Sequence, residues 1–319
     1  MIFGMDSIGS VFFLSQLYSK MPDFLLQYVL MTNQRLPEWF KTTKRKVKAT
    51  QDLSKKLERE VPNSICQEAK CPNRGECFSK GVLTFLILGT VCTRNCAFCS
   101  VRHGKPMPPD PTEVDRILHA VEKLDLKFVV LTSPNRDDLE DGGANHYAHI
   151  VRSIQKKFPH VKTEVLIPDF QGDKEALKII VDAKPDVINH NLETVPELYT
   201  TVRKGSLYKR SLEVLKTVKE MDPTRLTKTG VMLGLGEDYD QLRRVFKDSV
   251  DQGVDILTLG QYLKPAKENH DVMKYYELEE FDILKKEAEE SGVRHVFSGP
   301  LVRSSYLAES VFEDVITET

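Results

Sequence analysis

Short runs of β-branched and other apolar residues alternate with longer amphipathic stretches from residue 82 onward. This alternation is typical of βα units, in which each strand of a parallel sheet is followed by a helix. Six apolar runs are predicted to be strands: Val82–Leu88, Lys127–Thr132, Thr163–Ile167, Asp186–Asn189, Thr229–Leu233 and Asp255–Leu259. Helices are predicted near residues 112–124, 145–158, 173–183, 209–221, 238–252 and 278–291.

The predicted fold class is α/β, as a partial (β/α)6 TIM-like barrel with its mouth at the carboxyl ends of the strands. An N-terminal extension and a C-terminal tail are expected to cover that mouth. The predicted boundaries are an N-terminal appendage at 1–34, the extension at 35–81, the barrel at 82–292 and the C-terminal segment at 293–319. Arg294–Phe297 is either a further strand or the start of the tail, and the pattern does not decide between them.

The composition is that of a soluble globular protein, with 40% hydrophobic and 29% charged residues. Because 45 basic and 47 acidic residues nearly cancel, a general nucleic-acid binder is excluded. Residues 11–30 are moderately apolar, but Lys20, Pro22 and Asp23 interrupt them, so no membrane partner is expected. No export or transit signal is visible, which predicts a cytoplasmic protein whose functional part begins near Met31.

All six cysteines lie between Cys66 and Cys99, and this clustering marks a site. In a long chain without an export signal, clustered thiols indicate metal binding rather than disulfides. Cys92, Cys96 and Cys99 form a C-x3-C-x2-C triad directly after the first predicted strand. Three thiolates on so short a loop can bind three irons of a four-iron cluster and leave the fourth iron open to a substrate.

A second triad lies upstream, where Cys66, Cys71 and Cys77 have the spacing C-x4-C-x5-C. Three further thiolates indicate a second cluster that is again one thiolate short. Two alternatives remain open. The upstream cysteines could complete the first cluster, or the cysteines could bind zinc.

The Gly89–Cys99 segment, GTVCTRNCAFC, resembles the radical S-adenosylmethionine (SAM) superfamily in its cysteine spacing and in Phe98. That resemblance implies a 4Fe-4S cluster whose open iron chelates SAM for reductive cleavage to a 5'-deoxyadenosyl radical. The two triads together resemble lipoyl synthases, in which a second, auxiliary 4Fe-4S cluster supplies the inserted sulfur. Lipoyl synthases also carry the Arg-Ser-Ser-Tyr motif found at Arg303–Tyr306, which implies Ser305, or else Ser304, as an oxygen ligand of the auxiliary cluster.

The resemblance further implies which residues act at the barrel mouth. Those implied to be catalytic are Cys92, Cys96, Cys99 and Ser305. Phe98 and Gly234 are implied to bind SAM. Asn191, Glu193 and Arg203 follow a predicted strand at the same mouth, which makes them candidates to bind the cofactor or the substrate, or else strand-end caps or residues of a solvated loop. The loop at 137–143, DDLEDGG, stands where many relatives hold a glycine pair against the methionine amino group. Lipoyl synthases usually read Arg-Pro-Gly where this chain reads Arg203-Lys204-Gly205, so the local loop geometry is expected to differ.

The implied activity is insertion of sulfur at carbons 6 and 8 of a protein-bound octanoyl-lysine, with SAM and two 4Fe-4S clusters as cofactors. The implied partners are octanoylated lipoyl-carrier domains, namely 2-oxoacid dehydrogenase E2 subunits and the glycine cleavage H protein, and a reductant such as ferredoxin or flavodoxin. Two alternatives are another two-cluster radical enzyme, such as a methylthiotransferase or a biotin-synthase-like sulfur inserter, and a non-catalytic zinc-binding module.

Overall fold

A computed structural model describes residues 37–39, 64–65, 73, 77, 82–306 and 308–317. Within them the strands are β1 (Val82–Leu86), β2 (Val91–Cys92), β3 (Arg102–His103), β4 (Phe128–Thr132), β5 (Lys162–Leu166), β6 (Val187–Asn189), β7 (Leu226–Leu233), β8 (Ile256–Gln261) and β9 (His295–Gly299). The α-helices are α1 (Glu113–Lys123), α2 (Ala144–Lys157), α3 (Lys174–Asp182), α4 (Tyr199–Val202), α5 (Tyr208–Met221), α6 (Tyr239–Asp251), α7 (Leu278–Glu290) and α8 (Ala308–Thr317). The predicted appendage at 1–34, Cys66 and Cys71 lie outside the described residues.

Seven strands form one sheet in the order β1-β4-β5-β6-β7-β8-β9, and every neighbouring pair is parallel. The six predicted strands are all present in it, which confirms the α/β class. Residues 295–299 form a seventh strand, which pairs with residues 256–260 of β8. Because β1 and β9 stand at the two ends of this strand order, the described sheet is a partial barrel that is open between them.

The side chains of β1 alternate between two apolar layers, as the two-residue period of a strand requires. Leu83 and Phe85 pack with Ile117 of α1 and Ile150 of α2 on the outer face of the sheet. Val82 belongs to a different cluster on the inner face. The helices therefore cover the outside of the barrel, and the inside is left for the site. None of the helices in the described part of the chain is long and apolar enough to cross a membrane.

Helix α8 packs against the end of the sheet at which the strands begin. Its Phe312 contacts Phe128, the first residue of β4, with ring centroids 5.8 Å apart. Val311 and Val315 share an apolar cluster with Ile256, the first residue of β8. The prediction that the C-terminal tail covers the mouth is thus corrected for α8, because the apolar face of this helix is buried at the opposite end.

Gly260 of β8 allows the C-terminal segment to pass close to the sheet. A Cβ atom at this position would overlap the backbone oxygen of Val302. We therefore expect Gly260→Ala to lower the free energy of unfolding by about 1–3 kcal/mol, since the backbone must shift to relieve the overlap. Denaturant unfolding measures the change. The control is Gly299→Ala on the paired strand, where the added carbon would meet Val302 Cγ2 at 3.4 Å. Equal losses in both variants would contradict the steric explanation.

Candidate metal centre and active site

The cysteines of the first triad lie on one loop at the carboxyl end of β1. The Cys92 sulfur accepts hydrogen bonds from the backbone N–H groups of Arg94 and Asn135, both at 3.3 Å. The Cys99 sulfur accepts one from the backbone N–H of Val101 at 3.4 Å. Hydrogen bonds to a charged group stabilise its charged form, and a metal-bound thiolate is such a group.

Burial alone disfavours the thiolate form of two of these cysteines. It raises the pKa of Cys96 to about 12, although the charge of Arg203 opposes the shift. It also raises the pKa of Cys99 to about 11. Bound iron would stabilise these partly buried thiolates, and three sulfur donors are a ligand set that suits an iron-sulfur cluster. In the described part of the chain, no three His, Cys, Asp or Glu side chains surround a position for one single metal ion.

The start of the cysteine loop is fixed by two helices. The Glu113 carboxylate of α1 accepts a hydrogen bond from the backbone N–H of Leu88 at 2.9 Å. His146 of α2 lies 2.7 Å from the same carboxylate oxygen. Gly143 packs directly against Leu88, because a Cβ atom there would overlap the leucine side chain. These contacts set the direction in which the chain leaves β1.

Arg94, between Cys92 and Cys96, joins the cysteine loop to three other loops. Its guanidinium donates to Asp137 after β4 at 2.8 and 2.7 Å. It donates to Asp169 after β5 at 3.0 and 2.6 Å, and to the hydroxyl of Ser206 between α4 and α5 at 3.0 Å. The start of the DDLEDGG loop thus contacts an arginine of the cysteine loop. Arg94 is not among the predicted site residues, although its place inside the triad is a signal in the sequence.

Asn269 holds the second half of the cysteine loop from the segment that follows β8. Its side-chain amide donates to the backbone oxygen of Ala97 at 3.1 Å and to that of Cys99 at 2.8 Å. The backbone N–H of His270 donates to the same Ala97 oxygen at 2.8 Å. The sequence carries no comparable signal for Asn269, because some 170 residues separate it from the loop. Both halves of the loop are therefore held by polar side chains.

Contacts within the protein explain the residue type at two predicted SAM-binding positions, Phe98 and Gly234. Phe98 packs against an apolar cluster that contains Tyr262. A Cβ atom at Gly234 would overlap the backbone oxygen of Lys274, and the Gly234 N–H donates to the Glu237 carboxylate at 2.5 Å. Packing thus gives a reason for an aromatic residue and a glycine at these positions. Their roles toward SAM stay predictions.

Asn191, Glu193 and Arg203 lie together after β6. The Asn191 side chain donates to the Glu193 carboxylate and to the Ser304 hydroxyl, each at 3.0 Å. Arg203 donates to the backbone oxygen of Asn191 at 2.8 Å, and its charge also acts on Cys96. Burial raises the pKa of Glu193, while Arg203 and Asn191 oppose the increase. The Oδ1 atom of Asn191 is buried and accepts no hydrogen bond from the described residues. It is an acceptor to which a ligand at the mouth could donate.

The described residues of the second cysteine segment contact the C-terminal segment. The Asn73 side chain donates to the backbone oxygen of Leu301 at 2.6 Å, and the backbone N–H of Cys77 donates to the Asn73 oxygen at 3.0 Å. Cys77 and Tyr306 also belong to the same apolar cluster. The structure therefore brings one cysteine of the second triad and Tyr306, the last residue of the Arg-Ser-Ser-Tyr motif, into one region.

His190, beside Asn191, is a fully buried histidine in the same loop. Its Nδ1 lies 2.8 Å from the backbone oxygen of Ile167, so this nitrogen carries the proton and donates. Its Nε2 has no hydrogen-bond partner among the described residues. Burial, together with the nearby charge of Arg203, lowers the pKa of His190 to about 4.

This histidine predicts a loss of stability at acidic pH. Between an unfolded-state pKa of about 6.5 and the folded-state pKa of about 4, the unfolded chain takes up a proton that the folded chain does not. The free energy of unfolding should therefore decrease as the pH falls through this window, by at most roughly 3 kcal/mol from this residue. His190→Asn places an amide donor near the Nδ1 position and removes the titration, so it should show a weaker pH dependence in denaturant unfolding. Identical dependence in the two proteins would contradict the assignment.

Comparison with known proteins finds relatives over most of the chain. The model of the Radical SAM superfamily matches residues 86–248. A lipoyl synthase from Alkaliphilus metalliredigens is 49% identical over 283 residues, which cover 89% of this chain and 98% of that protein. A lipoyl synthase from Caldicellulosiruptor saccharolyticus is 48% identical over 279 residues, with 88% and 98% coverage.

Solved structures support the fold alone, because their identity to this chain is low. Methylornithine synthase (PylB) matches with a TM-score of 0.51 and 12% identity over 95% of both chains. SuiB from Streptococcus suis, bound to the precursor peptide SuiA, matches with a TM-score of 0.53 and 14% identity over 72% of this chain. This chain covers 53% of the length of SuiB. Since proteins almost half identical to it match along most of its length, the chain belongs to the lipoyl synthase family of the radical SAM superfamily.

Proposed function

We propose that the protein is a lipoyl synthase. It would insert one sulfur atom at carbon 6 and one at carbon 8 of an octanoyl group that is amide-linked to a lysine of a carrier protein. The observation that carries this proposal is the family match, which extends over 88–89% of the chain at 48–49% identity. The parallel α/β barrel and the cysteine loop at the end of β1 agree with it.

Cys92, Cys96 and Cys99 are proposed to hold three irons of a 4Fe-4S cluster. When bound there, the cluster would chelate SAM at its open iron and supply the electron for cleavage of the sulfonium. The chain itself orients two of the three sulfurs, those of Cys92 and Cys99, through backbone N–H donors.

Cys66, Cys71 and Cys77 are proposed to hold the auxiliary 4Fe-4S cluster, which is consumed as the sulfur donor. Ser305 is proposed as its oxygen ligand. Two observations support this assignment: the Asn73 side chain, which lies between two of these cysteines in the sequence, donates to Leu301, and Cys77 shares an apolar cluster with Tyr306. An oxygen ligand binds iron less well than a thiolate does, which would favour dismantling of the cluster during sulfur donation. The extension at 35–81 would then be the auxiliary-cluster unit of the chain.

SAM is proposed to bind beside the cysteine loop, in contact with Phe98, Asn191, Glu193, Arg203 and Gly234. Asn191 offers a buried acceptor atom, and Glu193 offers a carboxylate beside it. Both groups suit a ligand with hydroxyl and ammonium donors. The proximity of Arg203 to Cys96 supports binding next to the proposed cluster.

The proposed partners follow from this activity. The acyl substrate would be carried by E2 subunits of 2-oxoacid dehydrogenases or by the glycine cleavage H protein, and ferredoxin or flavodoxin would deliver one electron for each SAM molecule cleaved. We propose a cytoplasmic location, where these carriers and a reducing environment are available.

An assay with an octanoyl-lysyl peptide tests the proposed function. Anaerobic protein with reconstituted clusters is incubated with peptide, SAM and dithionite, and products are analysed by mass spectrometry. We expect the peptide to gain two sulfur atoms while two molecules of 5'-deoxyadenosine form, and the same peptide without its acyl group to gain none. SAM cleavage without sulfur on the octanoyl peptide would instead indicate another two-cluster radical enzyme.

A further inference from the structure

We infer that Arg94 is a positioning residue that fixes the placement of the first cysteine triad through the planar shape of its guanidinium group. Its five N–H bonds are all used: two meet Asp137, two meet Asp169 and one meets the Ser206 hydroxyl. The side chain is only 6% exposed. This inference rests on the proposed cluster site, and it adds the residue that keeps the site in shape.

The position of Arg94 in the chain explains how it would act. Its backbone N–H donates to the sulfur of Cys92, and Cys96 follows two residues later. On the far side of Cys96, the backbone N–H of Ala97 donates to the backbone oxygen of Val202 at 2.8 Å. Anchoring the Arg94 side chain therefore holds the backbone between the two cysteines, and with it the distance between their sulfurs.

Shape rather than charge is the property required at this position. Asp169 also accepts a hydrogen bond from a second arginine, Arg210, at 3.3 Å. The charges of the two arginines therefore balance those of Asp137 and Asp169. A lysine would keep the charge but offers three donors from one nitrogen atom, which cannot reach both carboxylates and the hydroxyl in the plane of a guanidinium. Arg94→Lys is thus the variant that separates positioning from electrostatics.

The test uses the full chain with Cys66, Cys71 and Cys77 replaced by alanine, so that only the first triad can bind a cluster. The protein is reconstituted anaerobically, and the rate of iron release to a coloured chelator is followed by absorbance. We expect Arg94→Lys to release iron about tenfold to a hundredfold faster, as changes in groups that orient metal ligands commonly do. Ser206→Ala removes one of the five hydrogen bonds without leaving a buried charge, and it should have a smaller effect in the same direction.

Arg225→Lys is the matched control. Arg225 is partly buried and bonds to Asp222 and to the backbone oxygen of Pro185, ahead of β7 and away from the cysteine loop. Thermal unfolding of the cluster-free proteins accompanies each measurement. If Arg94 only stabilised the fold, any variant with the same decrease in unfolding temperature would release iron equally fast. Equal rates of iron release from Arg94→Lys and Arg225→Lys at similar unfolding temperatures would therefore contradict a positioning role. Iron release from Arg94→Lys at the rate of the parent would overturn the inference, whereas a parent that binds no iron at all would overturn the proposed cluster site itself.

Discussion

Cys96→Ala is expected to abolish cleavage of SAM and to lower the iron content of the reconstituted protein from roughly eight to roughly four atoms per chain. Cys96 is the middle ligand of the proposed cluster, and its removal leaves two thiolates on the loop. Two ligands hold a four-iron cluster too weakly for it to survive purification. Iron analysis, and detection of 5'-deoxyadenosine after addition of dithionite, measure the two effects.

The control for this experiment is Asn95→Ala. Asn95 is exposed on the same loop and precedes Cys96 directly. This variant should keep both its iron and its SAM cleavage, which would show that a change in the loop as such does no harm. If Cys96→Ala still formed 5'-deoxyadenosine at the normal rate, the first triad would not be the site of SAM cleavage.

Replacing Cys66, Cys71 and Cys77 together by alanine is expected to separate SAM cleavage from sulfur insertion. This variant should lose about four irons and all sulfur insertion, yet still cleave SAM in the presence of the octanoyl peptide. The reason is that the first triad has contacts of its own within the barrel, through Arg94 and Asn269.

Mass spectrometry of the peptide measures sulfur insertion by the triple variant, and quantification of 5'-deoxyadenosine measures its SAM cleavage. Thermal unfolding should show that the barrel remains folded, since Cys77, the described member of the triad, precedes the first strand and its replacement by alanine removes only one buried sulfur atom. A triple variant that still converted the octanoyl peptide to the lipoyl product would remove the auxiliary cluster as the sulfur source.

The sequence predicts the sheet well because the relevant signals are local. The apolar runs of the six predicted strands are short, β-branched and separated by amphipathic stretches, and each appears as a strand of the seven-stranded sheet. The strand at His295–Gly299 could not be predicted, because a run of only four residues, Arg294–Phe297, does not distinguish a strand from a loop. Its pairing with β8 depends on the whole barrel.

The candidate site, too, could be predicted only in part. The cysteine spacing is a local signal, so the triad and its place after β1 could be predicted. The partners of Arg94 are 43, 75 and 112 residues away in sequence, and no periodicity indicates which loops will meet. The location of α8 could not be predicted either, because an amphipathic pattern shows that a face is buried but not which surface covers it.

The side-chain amide of Asn191 has two N–H bonds, and both are engaged, one by Glu193 and the other by Ser304. Any molecule at the mouth that competes for this amide would therefore weaken the hold on the Arg-Ser-Ser-Tyr segment. Linkage requires the reverse as well: whatever draws Ser304 away alters the affinity of the mouth for its ligand by the same factor. A single asparagine thereby couples the occupancy of the barrel mouth to the position of residues 303–306.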